Sequence, residues 1–190
     1  MKNAVTKSKK CNGCGDPFRP VRPLQKACSM HCAMILGKEK TAADEKKRDR
    51  VKRESLKTRS AWLKDAQTQF NRYIRLRDEK EPCISCGQSS GAKINAGHYL
   101  STGARPELRF EPLNCHKQCE KCNSWLSGNA VMYRKRLIDK IGIEKVEWLE
   151  GPHDPKKYTI DELKEIKRVY TEKAKEITRR SGLVWLGESS

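Results

Sequence analysis

The sequence is short of nearly everything a wide apolar core requires. Aromatic residues make up 6% and hydrophobic residues 36% of its 190 positions, against 34% charged. That balance excludes one large core and favours extended helices with small, metal-stapled modules. Acidic residues are scarce beside basic ones, 24 Asp and Glu against 41 Lys and Arg, giving a net charge of +17. Such a charge favours polyanionic partners, although a ribosomal-type or merely solubilising surface has the same composition. No run approaches the roughly 18 apolar residues that span a bilayer, so no membrane partner is expected. The opening MKNAVTKSKK is basic and has no apolar segment. A reducing, cytoplasmic setting is therefore expected, where paired cysteines usually mean zinc; disulfides of a secreted chain are the alternative.

Cysteine, by contrast, is plentiful and clustered. Of nine, eight fall in close groups, Cys11/Cys14, Cys28/Cys32, Cys83/Cys86 and Cys119/Cys122, with Cys115 left over. Residues 11–32 read CNGCGDPFRPVRPLQKACSMHC, with Pro17, Pro20 and Pro23 between the knuckles. Four thiolates at this spacing suit a closed zinc site, and His31 is an alternative fourth ligand. A module this small buries no core, so zinc would supply most of its folding free energy, on the order of 10–16 kcal/mol. Arg19, Arg22 and Lys26 on its loop could touch phosphate or simply be solvated.

From Gly37 to Ser60 a charge run of good helix formers predicts an exposed helical connector. Its Lys46, Lys47, Arg48, Lys52 and Arg53 could lie along a DNA backbone; a solvated connector is the alternative. From Ala61, Trp62, Ala66, Phe70, Tyr73, Ile74 and Arg77 recur at helical spacing and predict an amphipathic helix ended by Pro82. Further helices are expected over 130–140, stopped by Gly142, and over 143–149. A last one opens at the capping box Thr159-x-x-Glu162 and runs to about Arg180. The tail SGLVWLGESS is expected to be loose, with Leu183, Trp185 and Leu186 available to dock or bind a partner.

The densest chemistry lies from Cys83 to Asn129. The gap between Cys86 and Cys119 exceeds the roughly 15–20 residues of a compact zinc ribbon, so these knuckles clamp an inserted motif. Four sulfur ligands make that zinc structural. Gly87 permits a tight turn, and Cys115 reads as a small buried hydrophobe. Inside lie KINAGHYL, a strand or hairpin arm carrying His98, then Asn114 and His116; Asn123 follows the second knuckle directly. A hydrogen-bonded structural role for His98 and an N-cap role for Asn123 are the plain alternatives. Arg109 could pin a phosphate or form a structural salt bridge.

Strand with His, loop with Asn, then knuckle, Asn and helix is the layout of a ββα-metal motif, and this stretch resembles the HNH nuclease family. The pieces CISCG, AGHY, LRF, NCHKQCEKCN and SGN, with the preceding four-cysteine knuckle and basic helix, make the chain similar to the NinG (Rap) recombination proteins of lambdoid phages. The resemblance implies a structure-specific endonuclease acting on D-loops and Holliday junctions in the host cytoplasm. It puts His98 in the place of the general base, Asn114 in that of the loop-holding amide that orients it, and Asn123 in that of an oxygen ligand to catalytic Mg²⁺ or Mn²⁺. One departure stands out: the family usually carries Asp or His before the base as a metal ligand, and here Gly97 has no side chain. Either another residue supplies that ligand, His116 being nearest, or His98 is itself a ligand.

The expected fold is mainly α with small zinc-stabilised α+β modules, an HNH-like ββα-metal core flanked by long helices. Four segments are expected: a zinc module over 1–36, a basic connector over 37–60, a nuclease core with its leading helix over 61–142, and a helical region over 143–190. A homodimer would suit two-fold symmetric junctions. A non-catalytic zinc protein that binds nucleic acid is the competing functional class.

Overall fold

A computed structural model describes residues 7–89 and 93–181. The tail side chains Leu183, Trp185 and Leu186 lie outside the described residues. The chain divides into two compact units, residues 1–57 and 58–190.

The first unit is a hairpin and a helix. Strands β1 (Lys9–Lys10) and β2 (Pro17–Phe18) pair antiparallel, with Lys9 opposite Phe18. Helix α1 (Met30–Ser55) starts where Ser29 accepts the Cys32 amide on its side chain. Gly37, expected at the start of the connector, lies inside this helix, because the cap at Ser29 nucleates it earlier. Only Cys32 of α1 is buried, and the unit's small core is Cys11, Ala27 and Cys32 with Phe18 and Leu36 beside them. The cysteine cluster is thus nearly all that organises this unit.

The second unit is built around a short hairpin. Helix α2 (Arg59–Arg77), capped by Thr58, buries Trp62, Ala66, Phe70 and Ile74, the expected face. It ends at Asp78, ahead of Pro82. Arg77 accounts for this: its guanidinium leaves the helix axis for both Asp78 carboxylate oxygens, at 2.7 Å each, and for the carbonyls of Pro112 and Cys115. Asp78 in turn accepts the Lys117 amide at 3.0 Å. Strand β3 (Ile94–His98) pairs antiparallel with β4 (Cys115–Cys119), with Gly97 opposite His116 and His98 opposite Cys115. Helices α3 (Ala130–Ile141), α4 (Ile143–Glu150) and α5 (Ile160–Arg180) follow. The Thr159–Glu162 capping box forms as expected.

Because cross-strand partners share a face of the hairpin, its two faces have different company. Ala96 and Cys115 belong to a core formed with α2 and α5, containing Phe70, Phe110, Leu163 and Tyr170. On the other face His116 meets Tyr133 of α3, whose own core includes Leu137, Val146 and Leu149. All five residues of β4 are buried although its middle reads His-Lys-Gln. A mainly helical chain with two small sheets and two four-cysteine clusters is therefore the observed architecture.

Candidate nuclease and metal sites

All nine cysteines carry free thiols, which removes the disulfide alternative. They assemble as the spacing predicts: Cys11, Cys14, Cys28 and Cys32 in one cluster, Cys83, Cys86, Cys119 and Cys122 in the other. Within each, the sulfurs lie within 4.8 Å of one another. Tetrahedral zinc with Zn–S bonds of about 2.3 Å sets sulfurs about 3.8 Å apart. The observed 3.6 Å for Cys14–Cys28, 3.7 Å for Cys28–Cys32 and 3.9 Å for Cys86–Cys119 match. Both clusters could hold zinc. His31 is exposed and outside the first cluster.

Backbone amides lower one thiol in each cluster, while the neighbouring Cys14, Cys28, Cys86 and Cys122 are raised. Amides at Cys14, Cys28 and Gly13 lower the Cys11 thiol to about 6. In the second cluster burial pushes Cys83 upward, but amides of Cys86, Cys119 and Ser85 outweigh it and bring the thiol to about 7. Gly87 closes the first knuckle with φ of 73°, its amide donating to the Cys83 carbonyl at 2.8 Å.

The candidate catalytic residues are placed differently from one another. His98 ends β3, half-buried, its ring stacked on Phe70 with centroids 5.9 Å apart. Its Nε2 lies 2.9 Å from the Arg109 carbonyl oxygen, and a carbonyl can only accept, so Nε2 carries the proton. Its Nδ1 faces the buried Cys115 thiol at 3.8 Å. Burial lowers the His98 pKa, so the ring is neutral at pH 7.

Asn114 is fully buried and spends its amide on the loop between the strands. Its Oδ1 accepts from the Leu100 amide at 2.8 Å, and its Nδ2 donates to the carbonyls of Leu100 and Leu108 at 3.0 and 3.2 Å. Leu108 precedes Arg109, whose carbonyl holds His98, so Asn114 reaches the imidazole through this loop rather than by contact. Arg109 itself turns towards Gln67 Oε1 and the Thr102 carbonyl, each 3.2 Å away. Among the described residues it forms no salt bridge, because its donors are satisfied by neutral oxygens.

Asn123 lies in a π-helical turn, Lys121–Trp125, and is not a helix N-cap; Asn129 occupies that position for α3. Its amide nitrogen reaches Ser124 Oγ at 3.5 Å, and among the described residues no hydrogen bond joins it to His98, Asn114 or His116. His116 is only 2% exposed. The Tyr133 hydroxyl donates to the Gly97 carbonyl at 2.9 Å, so the 3.3 Å contact between His116 Nδ1 and that hydroxyl is donated by the imidazole. That leaves Nε2 of His116 unprotonated. Burial, with the Arg77 charge, lowers its pKa to about 3.

Two features escape a reading of the sequence. The Arg77–Asp78 fork, which fixes the end of α2 to β4, looks like surface charge in the chain. Gln118, fully buried on β4, donates its Nε2 to Ser85 Oγ and to the Gly128 carbonyl, both at 2.7 Å. Since the Gly128 carbonyl can only accept, the amide orientation is fixed and Oε1 points the other way. Among the described residues that oxygen is the buried side-chain polar atom without a partner, a condition that costs about 1–3 kcal/mol. It lies against Gly97: a Cβ there would overlap Oε1 and stand 2.9 Å from Cβ and Cδ of Gln118. The signal in the sequence was the polar run His116-Lys117-Gln118, anomalous only once its strand is known to be buried on both faces.

The basic residues of α1, Lys46, Lys47, Arg48, Lys52 and Arg53, are all exposed. Among the described residues no helix is long and apolar enough to cross a membrane.

Comparison with known proteins settles the family. The family model described as Bacteriophage Lambda NinG protein matches residues 3–180. The chain is 40% identical over 182 residues to protein ninG of Escherichia phage lambda, covering 86% of this chain and 89% of that protein. It is 38% identical to protein ninG of Salmonella phage P22, with 86% and 90% covered, and 39% identical to that of Escherichia phage 933W, with 89% and 93% covered. No solved structure matches the chain. A match over nearly its whole length, clusters and hairpin included, means that the chain belongs to the NinG family of lambdoid phages.

Proposed function

We propose that this chain is a metal-dependent, HNH-like endonuclease that cuts branched DNA intermediates of phage recombination, D-loops and Holliday junctions among them. The observation that carries the reading is His98. It sits at the end of β3 in a hairpin followed by a helix, with its tautomer fixed by the Arg109 carbonyl and its ring kept neutral by burial. A neutral imidazole whose unprotonated nitrogen is defined, here Nδ1 beside the Cys115 thiol, can take a proton from an attacking water, a role worth about 10²–10⁴-fold. Asn114 supports it by pinning the loop that carries residue 109.

A divalent ion would draw on donors away from the His98 ring, with His116 on the opposite face of the hairpin. Asn123 offers an amide oxygen, a donor that suits Mg²⁺ or Mn²⁺, and His116 an unprotonated Nε2, a nitrogen that favours Mn²⁺ over Mg²⁺. Such an ion, when bound, stabilises charge developing on a scissile phosphate. The side chains of Asn123 and His116 would hold it, while the thiolates of the two clusters remain structural. The exposed basic face of α1 supplies phosphate contacts, and a homodimer would match the two-fold symmetry of a junction. The host cytoplasm is where such DNA is found.

One observation favours a second reading, a non-catalytic zinc protein that binds nucleic acid. His98 Nδ1 faces the Cys115 thiol, and its ring lies on Phe70, contacts that a purely structural histidine would also make. Zinc-loaded wild type and His98→Ala are compared on linear, forked and four-way DNA with Mg²⁺ or Mn²⁺. Cutting of branched substrates by wild type, lost in the variant while binding persists, supports the nuclease. Metal-independent binding without nicking by wild type selects the second reading.

A further inference from the structure

The second knuckle carries a tryptophan in solvent. Trp125 closes the π-helical turn Lys121–Trp125 and is 75% exposed. Leu126, Val131 and Met132, just beyond it, are exposed as well. A lone exposed hydrophobe is ordinary, but this one is rigidly mounted. The chain leaves the cluster at Cys122 and is tied back to it at Gly128 and Asn129. The Gly128 amide donates to the Cys122 carbonyl at 2.9 Å, and Asn129 Nδ2 reaches Cys122 Sγ at 3.7 Å. The Gly128 carbonyl accepts the buried Gln118 amide at 2.7 Å, and the Leu126 amide donates to the Lys121 carbonyl at 2.9 Å. To return, the backbone enters the left-handed region three times running, with φ of 48° at Ser127, 89° at Gly128 and 46° at Asn129. Serine adopts that region only at a cost, and such strain gathers at binding sites. A metal-anchored, strained turn therefore holds a large aromatic face in water.

Charge decides what covers that face. Between Lys121 and Ile138 the sequence has Lys121, Arg134, Lys135 and Arg136 and no acidic residue. A second copy would bring the same positive charge against it, in a chain already at +17. A polyanion that also offers an aromatic face is the complementary partner, and an unpaired nucleobase is such a face. In continuous duplex each base is covered by its neighbours; at a branch or in a single strand it is not.

We propose that Trp125 stacks on an unpaired base of bound DNA, so that the turn carrying Asn123 distinguishes branched and single-stranded DNA from continuous duplex. The inference rests on nucleic-acid binding, which the nuclease and the non-catalytic reading share. Stacking uses the face of a base and not its edge, so the preference is for structure and not for sequence.

The test uses the full-length, zinc-loaded protein without Mg²⁺ or Mn²⁺, so that no substrate is cut. Wild type, Trp125→Ala, Trp125→Leu and Trp125→Phe are titrated by fluorescence anisotropy against a linear duplex, a single strand and a fork. A fluorescent purine analogue sits at the unpaired position beside the branch. Trp125→Ala and Trp125→Leu should weaken binding to the fork and the single strand by about 5–150-fold for one stacked base, and leave the duplex unchanged. Trp125→Phe should keep most of the preference. Wild type should quench the analogue and Trp125→Ala should not. The absorption of Co²⁺ substituted at Cys83, Cys86, Cys119 and Cys122 confirms an intact cluster in each variant. Equal weakening on all three DNAs, a Trp125→Leu variant that behaves as wild type, or unchanged binding by Trp125→Ala overturns the proposal. So does a Trp125→Ala variant that binds DNA normally but halves the mass seen by light scattering, which assigns the face to a second copy. Mn²⁺ is then added. Fork preference lost in Trp125→Ala, with no cutting by wild type, sinks the nuclease and leaves the stacking. Cutting by wild type with fork preference intact in Trp125→Ala does the reverse.

Discussion

His98 donates through Nε2 to the carbonyl oxygen of Arg109, and this one bond decides which nitrogen of the ring can act. Without it either tautomer would form, and a ring asked to act as a base would be correctly protonated only part of the time.

The depressed His98 pKa gives a pH profile with a definite sign. A base must be unprotonated, and burial moves protonation of this ring below the usual histidine value. The acid limb of single-turnover cleavage should therefore be centred below about 6.5, the value for an unperturbed histidine. His98→Ala should cut about 10²–10⁴-fold more slowly and lose that acid limb. A limb centred at or above the ordinary value would contradict the burial argument.

His116 makes the fold sensitive to acid. Its folded pKa of about 3 lies far below that of an unfolded histidine, so over this interval the unfolded chain binds a proton that the folded chain refuses. Stability contributed by the neutral ring is complete above about pH 6.5 and declines progressively as pH falls towards 3. His116→Gln keeps a donor for the Tyr133 hydroxyl but cannot titrate. Urea unfolding at a series of pH values should show a shallower loss in the variant, by on the order of a few kcal/mol across the interval.

Zinc content should follow the two clusters. Elemental analysis should give two zinc ions per chain in wild type, one in Cys11→Ser or Cys83→Ser, and two in Cys115→Ser, whose thiol lies outside both clusters. Chelation should abolish the β1–β2 hairpin, because the first unit has almost no other core. Its circular dichroism should lose part of the α1 signal at the same time.

The exposed basic face of α1 should govern salt dependence and not stability. Replacing Lys46, Lys47, Arg48, Lys52 and Arg53 by alanine should leave the unfolding midpoint nearly unchanged, because none of them is buried. The slope of log affinity against log salt should become shallower by about 0.9 for each phosphate that the helix no longer neutralises. An unchanged slope, measured by fluorescence anisotropy on a four-way junction, would remove α1 from the DNA interface.

What the sequence made legible, and what it hid, follows the range of the interactions involved. Cysteine spacing declares a metal cluster because thiolate ligation needs little beyond two tight turns, and Thr159 declares a helix start because capping is complete within four residues. The α2 face was equally plain, since Trp62, Ala66, Phe70 and Ile74 need only helical periodicity. Local pattern misplaced the ends: α1 starts at the Ser29 cap instead of Gly37, and α2 stops at the Arg77–Asp78 fork before Pro82 acts. Asn123 looks like a cap until the π-helical turn moves the cap to Asn129. Gln118 was invisible because its importance depends on Ser85, Gly97 and Gly128 meeting around it, contacts set by the folded hairpin and both knuckles.

Those partners give the Gln118 amide one more property. Ser85 stands within the first knuckle and Gly128 just beyond the second, so a single side chain reports on the closure of the four-sulfur cluster. If the knuckles part, the amide loses both anchors. Thermodynamic linkage is reciprocal, so whatever holds that amide in place also holds the knuckles together, and one buried amide and four sulfurs share one free-energy balance.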